Sequence, residues 1–294
     1  MKEEIIQGFN NYDLAGYLWD NVKSPKAVVQ IIHGMQEHAT RYDYFAQFLN
    51  KNGYIVFATD LRGHGQTAKD IKVLGHTNGD IFKEIVSDQI IITEKLNKRF
   101  NLPVYVVGHS FGSFITQRYI QVCALSNKAV IVGSSYTKTL LNKMGLLVAN
   151  LTALIKGNHA EAKLVEKLSF GAYAKKFENG NWLCSDEEQF NKYKADPYCG
   201  TPFPICFYKS MLKNIVKNYK NLDNISKDQK VMLVAGECDP VGNYGKGVTK
   251  LYNEYKKHDV DVEIKLYAGG RHEILNEVNR DEVFEDILKF LDKK

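Results

Sequence analysis

One serine of the chain stands where it could act as a nucleophile. Gly108-His109-Ser110-Phe111-Gly112 follows the apolar run Val104 to Gly108 and leads into an amphipathic segment, Ser113 to Ala124. A G-x-S-x-G turn between a strand and a helix is so tight that only glycine fits two residues either side of the serine, whose backbone is strained and whose hydroxyl stands above the sheet edge. A neutral hydroxyl is a weak nucleophile. It needs a base to take its proton, and the base needs a carboxylate to fix its tautomer and stabilise its cation. In a strand-turn-helix setting the chain order is serine, acid, histidine. Asp239 follows the apolar run Lys230 to Ala235 in Gly236-Glu237-Cys238-Asp239-Pro240, and His272 follows Val260 to Tyr267 in Gly269-Gly270-Arg271-His272-Glu273. Both therefore fall on loops at the C-terminal edge of strands, where ligands meet open α/β sheets. Glu237, on the same loop as Asp239, is a rival acid. Among eight histidines, His272 alone lies both downstream of an acid-bearing loop and on the expected edge of the sheet. His109 is locked into the turn and is expected to point into the core, His258 belongs to a polar helix end, and His64 in Asp60-Leu61-Arg62-Gly63-His64-Gly65 reads as structural. An oxyanion would be met by two backbone amides, Phe111 after the serine and Met35 in His33-Gly34-Met35 after an early strand.

These residues need a sheet to hold them. Short apolar runs at Ala27 to His33, Tyr54 to Thr59, Val104 to Gly108, Ala129 to Gly133, Lys230 to Ala235 and Val260 to Tyr267 alternate with amphipathic segments, the pattern of a mostly parallel sheet flanked by helices. An opening hairpin, Ile5 to Gly8 and Leu14 to Trp19 around Asn10-Asn11, is expected to add antiparallel edge strands. Asp80 is a candidate cap for a helix with Ile81, Ile85, Ile92 and Leu96 on one face, and Phe284, Ile287, Leu288 and Leu291 make a second stripe. Between Gly133 and Lys230 the alternation stops. Residues 136–229 are read as a helical cap inserted after the sixth strand, and residues 1–135 with 230–294 as one core domain. No internal repeat or low-complexity stretch interrupts this organisation.

Composition narrows the function. The 294 residues carry 39 basic and 34 acidic side chains, a net charge of +5 that is too dispersed for a nucleic-acid footprint. The lysines between Lys213 and Lys230 read as a solvated face. Five cysteines, none in a CxxC pair, suggest neither a disulfide framework nor a structural zinc. The N-terminus lacks the pattern of a signal peptide, so a cytoplasmic location is expected. The apolar stretch Leu140 to Ile155 is shorter than the roughly 20 residues of a membrane span. No cofactor and no metal are expected, and the expected partner is a small-molecule acyl ester.

Several motifs together resemble the monoacylglycerol lipase and lysophospholipase branch of the α/β-hydrolases, which is grouped with serine aminopeptidases. They are His33-Gly34-Met35-Gln36-Glu37-His38-Ala39-Thr40-Arg41-Tyr42, Asp60-Leu61-Arg62-Gly63-His64-Gly65, Gly108-His109-Ser110-Phe111-Gly112-Ser113, Gly236-Glu237-Cys238-Asp239 and Gly270-Arg271-His272-Glu273. Within the cap, Asn181 to Asp186 resembles the branch's tryptophan-containing segment. The resemblance implies an α/β-hydrolase fold and hydrolysis of a lipid monoester through an acyl-enzyme on Ser110. A peptidase acting on N-termini and a non-catalytic ligand-binding protein are the alternatives. Gln36 stands where the branch has glycine, Phe111 where it has methionine and Ser113 where it has a second glycine. These departures leave Ser110, Asp239 and His272 untouched and put substrate size in question. The cap is rich in aromatics, among them Phe170, Trp182 and Phe190, and Leu140, Leu141, Met144, Leu147, Leu151 and Leu154 share helical spacing, which suits a lipid-touching entrance and transient contact with a membrane surface.

Overall fold

The computed structural model describes residues 1–137 and 140–293, and the side chains of Leu140 and Leu141 lie outside what is described. Eight strands, β1 (Lys2–Gln7), β2 (Asp13–Trp19), β3 (Ala27–Ile32), β4 (Tyr54–Thr59), β5 (Val104–His109), β6 (Lys128–Val132), β7 (Lys230–Gly236) and β8 (Asp261–Tyr267), form one sheet in the order β1-β2-β4-β3-β5-β6-β7-β8. The β1–β2 and β2–β4 pairs are antiparallel and the others parallel. The opening hairpin turns at Asn10 and Asn11, both at φ 55, a left-handed conformation that asparagine tolerates better than most residues. Strand ends differ from the sequence expectation by a residue, and by three at the start of β1, which begins at Lys2 instead of Ile5, because strand ends are least determined by local pattern.

Helices α1 (Asp43–Lys51), α2 (Ile81–Phe100), α3 (Phe111–Val122), α4 (Leu140–Lys156), α5 (Lys163–Leu168), α6 (Phe170–Ala174), α7 (Glu187–Ala195), α8 (Ile205–Ile215), α9 (Lys246–Lys257) and α10 (Arg280–Asp292) complete the chain. Side chains alternate across each strand. Val29 and Ile31 of β3 accordingly join Phe45 of α1 and Phe284 of α10 on one face of the sheet, while Ile32 joins Ile85 of α2, Phe114 of α3 and Leu251 of α9 on the other. Central strands buried on both faces read as unbroken apolar runs; the polar Gln30 inside β3 is accommodated because its amide donates to the Gln89 carbonyl and side chain and its oxygen accepts from Thr93.

Asp80 does stand at the start of α2, but its side chain makes no capping hydrogen bond there. Its Oδ1 accepts instead from Ser210 Oγ and Asn214 Nδ2 of α8, both at 2.7 Å. A residue that looked local in sequence thus fastens the stretch between β6 and β7 to the sheet-flanking helices. Among the described residues no helix is long and apolar enough to cross a membrane.

Candidate active site

The strand order reverses between β4 and β5, with β3 between them. Loops leaving β3 and β5 therefore diverge and open a crevice at the strands' C-terminal edge. Ser110 sits in that crevice at φ 52, ψ −117, outside the regions comfortable for a side-chain-bearing residue. Its neighbours must be bare. A Cβ on Gly112 would collide with the carbonyl oxygens of Ile32 and His33, and one on Gly108 with Thr116 and the Gly112 carbonyl. The register Ile32↔Gly108 brings the two loops side by side.

His272, on the loop after β8, places Nε2 2.8 Å from Ser110 Oγ and Nδ1 3.0 Å from Asp239 Oδ1. Asp239 is fully buried, and the same oxygen accepts from the Val241 amide at 2.8 Å. Its other oxygen has no donor among the described residues. Glu237, the rival acid, is exposed, and among the described residues it pairs only its backbone amide, with the Tyr267 carbonyl. The amides of Met35 and Phe111 find no acceptor among the described residues, while that of Gly34 donates to Glu37 Oε1 at 2.6 Å. A hydroxyl, an imidazole and a carboxylate linked in this order can pass a proton away from the hydroxyl, and free amides on the flanking loops can meet a developing oxyanion.

Beneath these groups lies a buried ionic cluster built from residues of the HGMQEHATRY, GHSFGS and GRHE motifs. Arg41 donates to Glu37 Oε2 at 2.6 Å and to both oxygens of Glu273 at 2.9 and 2.7 Å. Glu37 Oε1 also meets Tyr42 Oη at 2.9 Å and His109 Nδ1 at 3.2 Å, and His109 Nε2 lies 3.3 Å from the His272 carbonyl. Burial opposes charge on Glu37, but Arg41 and His109 hold its carboxyl well below the usual range. Burial likewise opposes charge on Glu273, and Arg41 outweighs it. For His109, burial disfavours the cation, yet the hydrogen bond and charge of Glu37 raise its value. Arg41 and Glu37 are four residues apart, and Glu273 adjoins His272. One guanidinium thus connects the loop after β3 with the loop that carries His272. The i,i+4 spacing of Glu37 and Arg41 was a visible signal; their link to Glu273, 232 residues away, was not.

His64 is buried, its value lowered to about 3 by burial with help from His33, and its ring packs edge-on against Phe203 and Phe207. It stands outside the serine–histidine–aspartate chain.

Above Ser110 is a cavity of about 620 Å³ whose walls include Met35, Gln36, Phe170, Trp182, Phe190 and Tyr193. The Trp182 ring lies 5.1 Å from that of His272 and nearly parallel to Phe170 at 5.5 Å. Arg271 Nη1 donates to the Asn181 carbonyl at 2.6 Å, and the Glu273 amide to that of Leu183. The tryptophan segment is therefore stitched to the histidine loop. Of the three departures expected to bear on substrate size, only Gln36 lines the cavity. Phe111 packs into the core against Phe82 and Phe207, and Ser113 is buried with its hydroxyl on the Ser110 carbonyl. Gln36 adopts φ 58, a left-handed conformation that favours glycine, and its side-chain amide donates to Glu166 Oε1 at 2.8 Å.

The family model described as serine aminopeptidase, S33 matches residues 23–279. The chain is 26% identical to a monoglyceride lipase homolog of Monkeypox virus, over 95% of this chain and 92% of that protein. It is 25% identical to a monoacylglycerol lipase of Mycolicibacterium smegmatis, over 98% and 96%. A crystal structure of a highly thermostable carboxyl esterase from Bacillus coagulans in complex with glycerol superposes with a TM-score of 0.89 at 27% identity, over 99% of this chain and 97% of that one. The resemblance read from the motifs and the α/β-hydrolase fold are both borne out.

Proposed function

Because the chain belongs to the serine aminopeptidase S33 family of α/β-hydrolases, an ester-hydrolysing lineage in its relatives' names, we propose that it cleaves a lipid monoester through an acyl-enzyme on Ser110. The observation that carries this reading is the 2.8 Å approach of His272 Nε2 to Ser110 Oγ with Asp239 behind the imidazole. His272 takes the hydroxyl proton as Ser110 attacks the acyl carbonyl, and Asp239 stabilises the imidazolium. The amides of Met35 and Phe111 bind the oxyanion. The proton then passes to the departing alcohol, and water repeats the sequence to release the acid.

Residues 136–229 serve as the cap over this site. Phe170, Trp182 and Phe190 give a long acyl chain an apolar wall, and the cavity volume falls within the usual range for small-molecule sites, about 300–1,000 Å³. A monoacylglycerol or a lysophospholipid fits this description; Lys163, Lys167 and Lys194 at the cavity wall suit the second. Peptidase action would ask for a free carboxylate to hold an α-amino group. Glu37, Glu166 and Glu273 all reach the cavity, but each is engaged by donors of the chain itself.

The outer face of α4 extends the proposal to the substrate's source. Met144, Leu147, Leu151, Leu154 and Ile155 are more than half exposed, and Leu164 and Leu168 of α5 are also exposed, among lysines 143, 156, 163 and 167. An apolar stripe edged with cations suits a lipid surface.

Ser110→Ala tests the core of the reading. The variant should fold as the parent does, fail to react with a fluorophosphonate probe and lose turnover of medium-chain acyl esters. Undiminished turnover would end the proposal, and rates on aminoacyl anilides above those on esters would move it to the peptidase reading.

A further inference from the structure

Asp196 and Cys199 close a turn just after α7, where the Cys199 amide donates to the Asp196 carbonyl at 3.0 Å and the Tyr198 amide to Asp196 Oδ1 at 2.9 Å. The turn presents carboxylate and thiol on the same side, towards His38 on the loop after β3. His38 Nε2 lies 2.8 Å from Asp196 Oδ2, and the donor atoms of His38, Asp196 and Cys199 all fall within 4.8 Å of one another. We propose that these three side chains bind a divalent cation that accepts nitrogen, oxygen and sulfur ligands together, zinc being the representative case. Nothing in this inference depends on the hydrolase reading.

Imidazole, carboxylate and thiolate are the ligands from which tetrahedral zinc sites are built, and three of them leave a fourth position for water. A neutral imidazole with one carboxylate and one thiolate also balances the ion's two charges. The His38 and Asp196 side chains are 13% and 29% exposed, and Cys199 is buried, so an ion held there would be mostly shielded yet reachable. A groove with Glu3, Glu4 and Asp60 on its walls also touches His38 and Asp196, and acidic walls raise the local concentration of cations. Thr40 Oγ1 stands 2.9 Å from His38 Nδ1. A hydroxyl can donate or accept, so it can follow the imidazole when the proton moves from Nε2 to Nδ1 and leaves Nε2 free to ligate. Such outer hydrogen bonds are a regular feature of metal-bound histidines.

Closing round the ion asks for small movements. With bonds of about 2.0–2.3 Å in a tetrahedron, neighbouring donors lie roughly 3.3–3.7 Å apart. The His38–Asp196 pair must open by about half an ångström and the thiol close by up to about one, which side-chain rotation can supply. The Cys199 proton must leave. A thiol ligates as the thiolate, so one proton is released per ion and affinity should strengthen as pH rises. The Gly200 amide already donates to the Gln36 carbonyl at 3.0 Å. A bound ion would therefore fasten the turn after α7 to the loop carrying Met35 and Gln36, along one wall of the cavity.

Cobalt(II) reports such a site directly. Titration of the full chain should give saturable visible absorption of a four-coordinate ion together with a near-ultraviolet thiolate-to-cobalt band. Cys199→Ser should remove the thiolate band, His38→Gln should weaken cobalt affinity at least about tenfold, and Cys206→Ser, whose thiol lies beside His159 instead, should leave both unchanged. Zinc calorimetry in two buffers should return one released proton. A parent protein without saturable cobalt absorption would overturn the proposal, as would a thiolate band that survives in Cys199→Ser. Because the parent is measured first, the outcome stands even if one variant folds poorly.

Discussion

The two halves of the cavity are built on opposite principles. Its floor is polar and closed: Glu37, His109, Asp239, His272 and Glu273 are each at most 4% exposed, and each meets a named partner. The roof carries the aromatic rings of Phe170, Trp182 and Phe190, and beyond the cavity wall the outer face of α4 lies open, with Leu154 and Ile155 both 84% exposed. A reacting geometry must be held to a fraction of an ångström, and buried hydrogen-bonded charges do that well because moving one leaves another unpaired. Admission of an acyl chain asks instead for surface that is adaptable and has no polar group to desolvate. Under the proposed function, the floor governs turnover and the exposed apolar face governs supply.

Substitutions can break that contrast at either side. The largest effect is expected from Asp239→Asn, which keeps the shape but presents the imidazole with the wrong partner; kcat on a soluble ester should fall about 10⁴-fold with KM little changed. Next comes Arg41→Met. Removing the cation leaves Glu37 and Glu273 buried without compensation, at a cost of about 3–5 kcal/mol. A chemical denaturation midpoint should drop accordingly, and kcat should fall because the loops bearing Met35 and His272 lose their common tie. An unchanged kcat would make the cluster purely structural. On the roof, the double substitution Leu147→Glu, Leu154→Glu should spare hydrolysis of a short soluble ester and slow hydrolysis of the same acyl group presented in vesicles about tenfold or more, since an inserted leucine is worth roughly 1.5–3 kcal/mol. Equal losses on both substrates would refute separate roles.

The smallest expected effect is on stability against pH. Glu37 and Glu273 have lowered values, so their stabilisation is present above the ordinary carboxylate value of about 4.3 and is lost as pH falls through the lowered ones. His109 has a raised value, so its contribution is complete below about 6.5 and is lost as pH rises through the raised one, with a slope of at most about 1.4 kcal/mol per pH unit for one proton. Stability should be highest on the mildly acidic side of neutrality, and His109→Gln should flatten only the alkaline decline.

Some of this was legible before any coordinates. The apolar runs and the glycines around Ser110 marked the strands and the strained turn, because period and backbone permissiveness are local properties. Chain order singled out Ser110, Asp239 and His272, and the structure brings all three side chains together. Whether Asp239 or Glu237 faces the histidine was open, since both share one loop; only the path of the chain after β7 turns one in and the other out. The expectation that Phe111 and Ser113 bear on substrate size failed because a side chain's neighbours at an elbow depend on how α3 packs, and both face the core.

What the sequence determined by itself is therefore what short-range physics can encode: the alternation of strand and helix, the elbow, and the order of groups able to relay a proton. Tertiary structure decided which distant charges share a buried site. Arg41 meets Glu273 across 232 residues and Glu37 meets His109 across 72. No spacing rule predicts such pairs, because they form only when folding removes the water that would otherwise have solvated each charge alone.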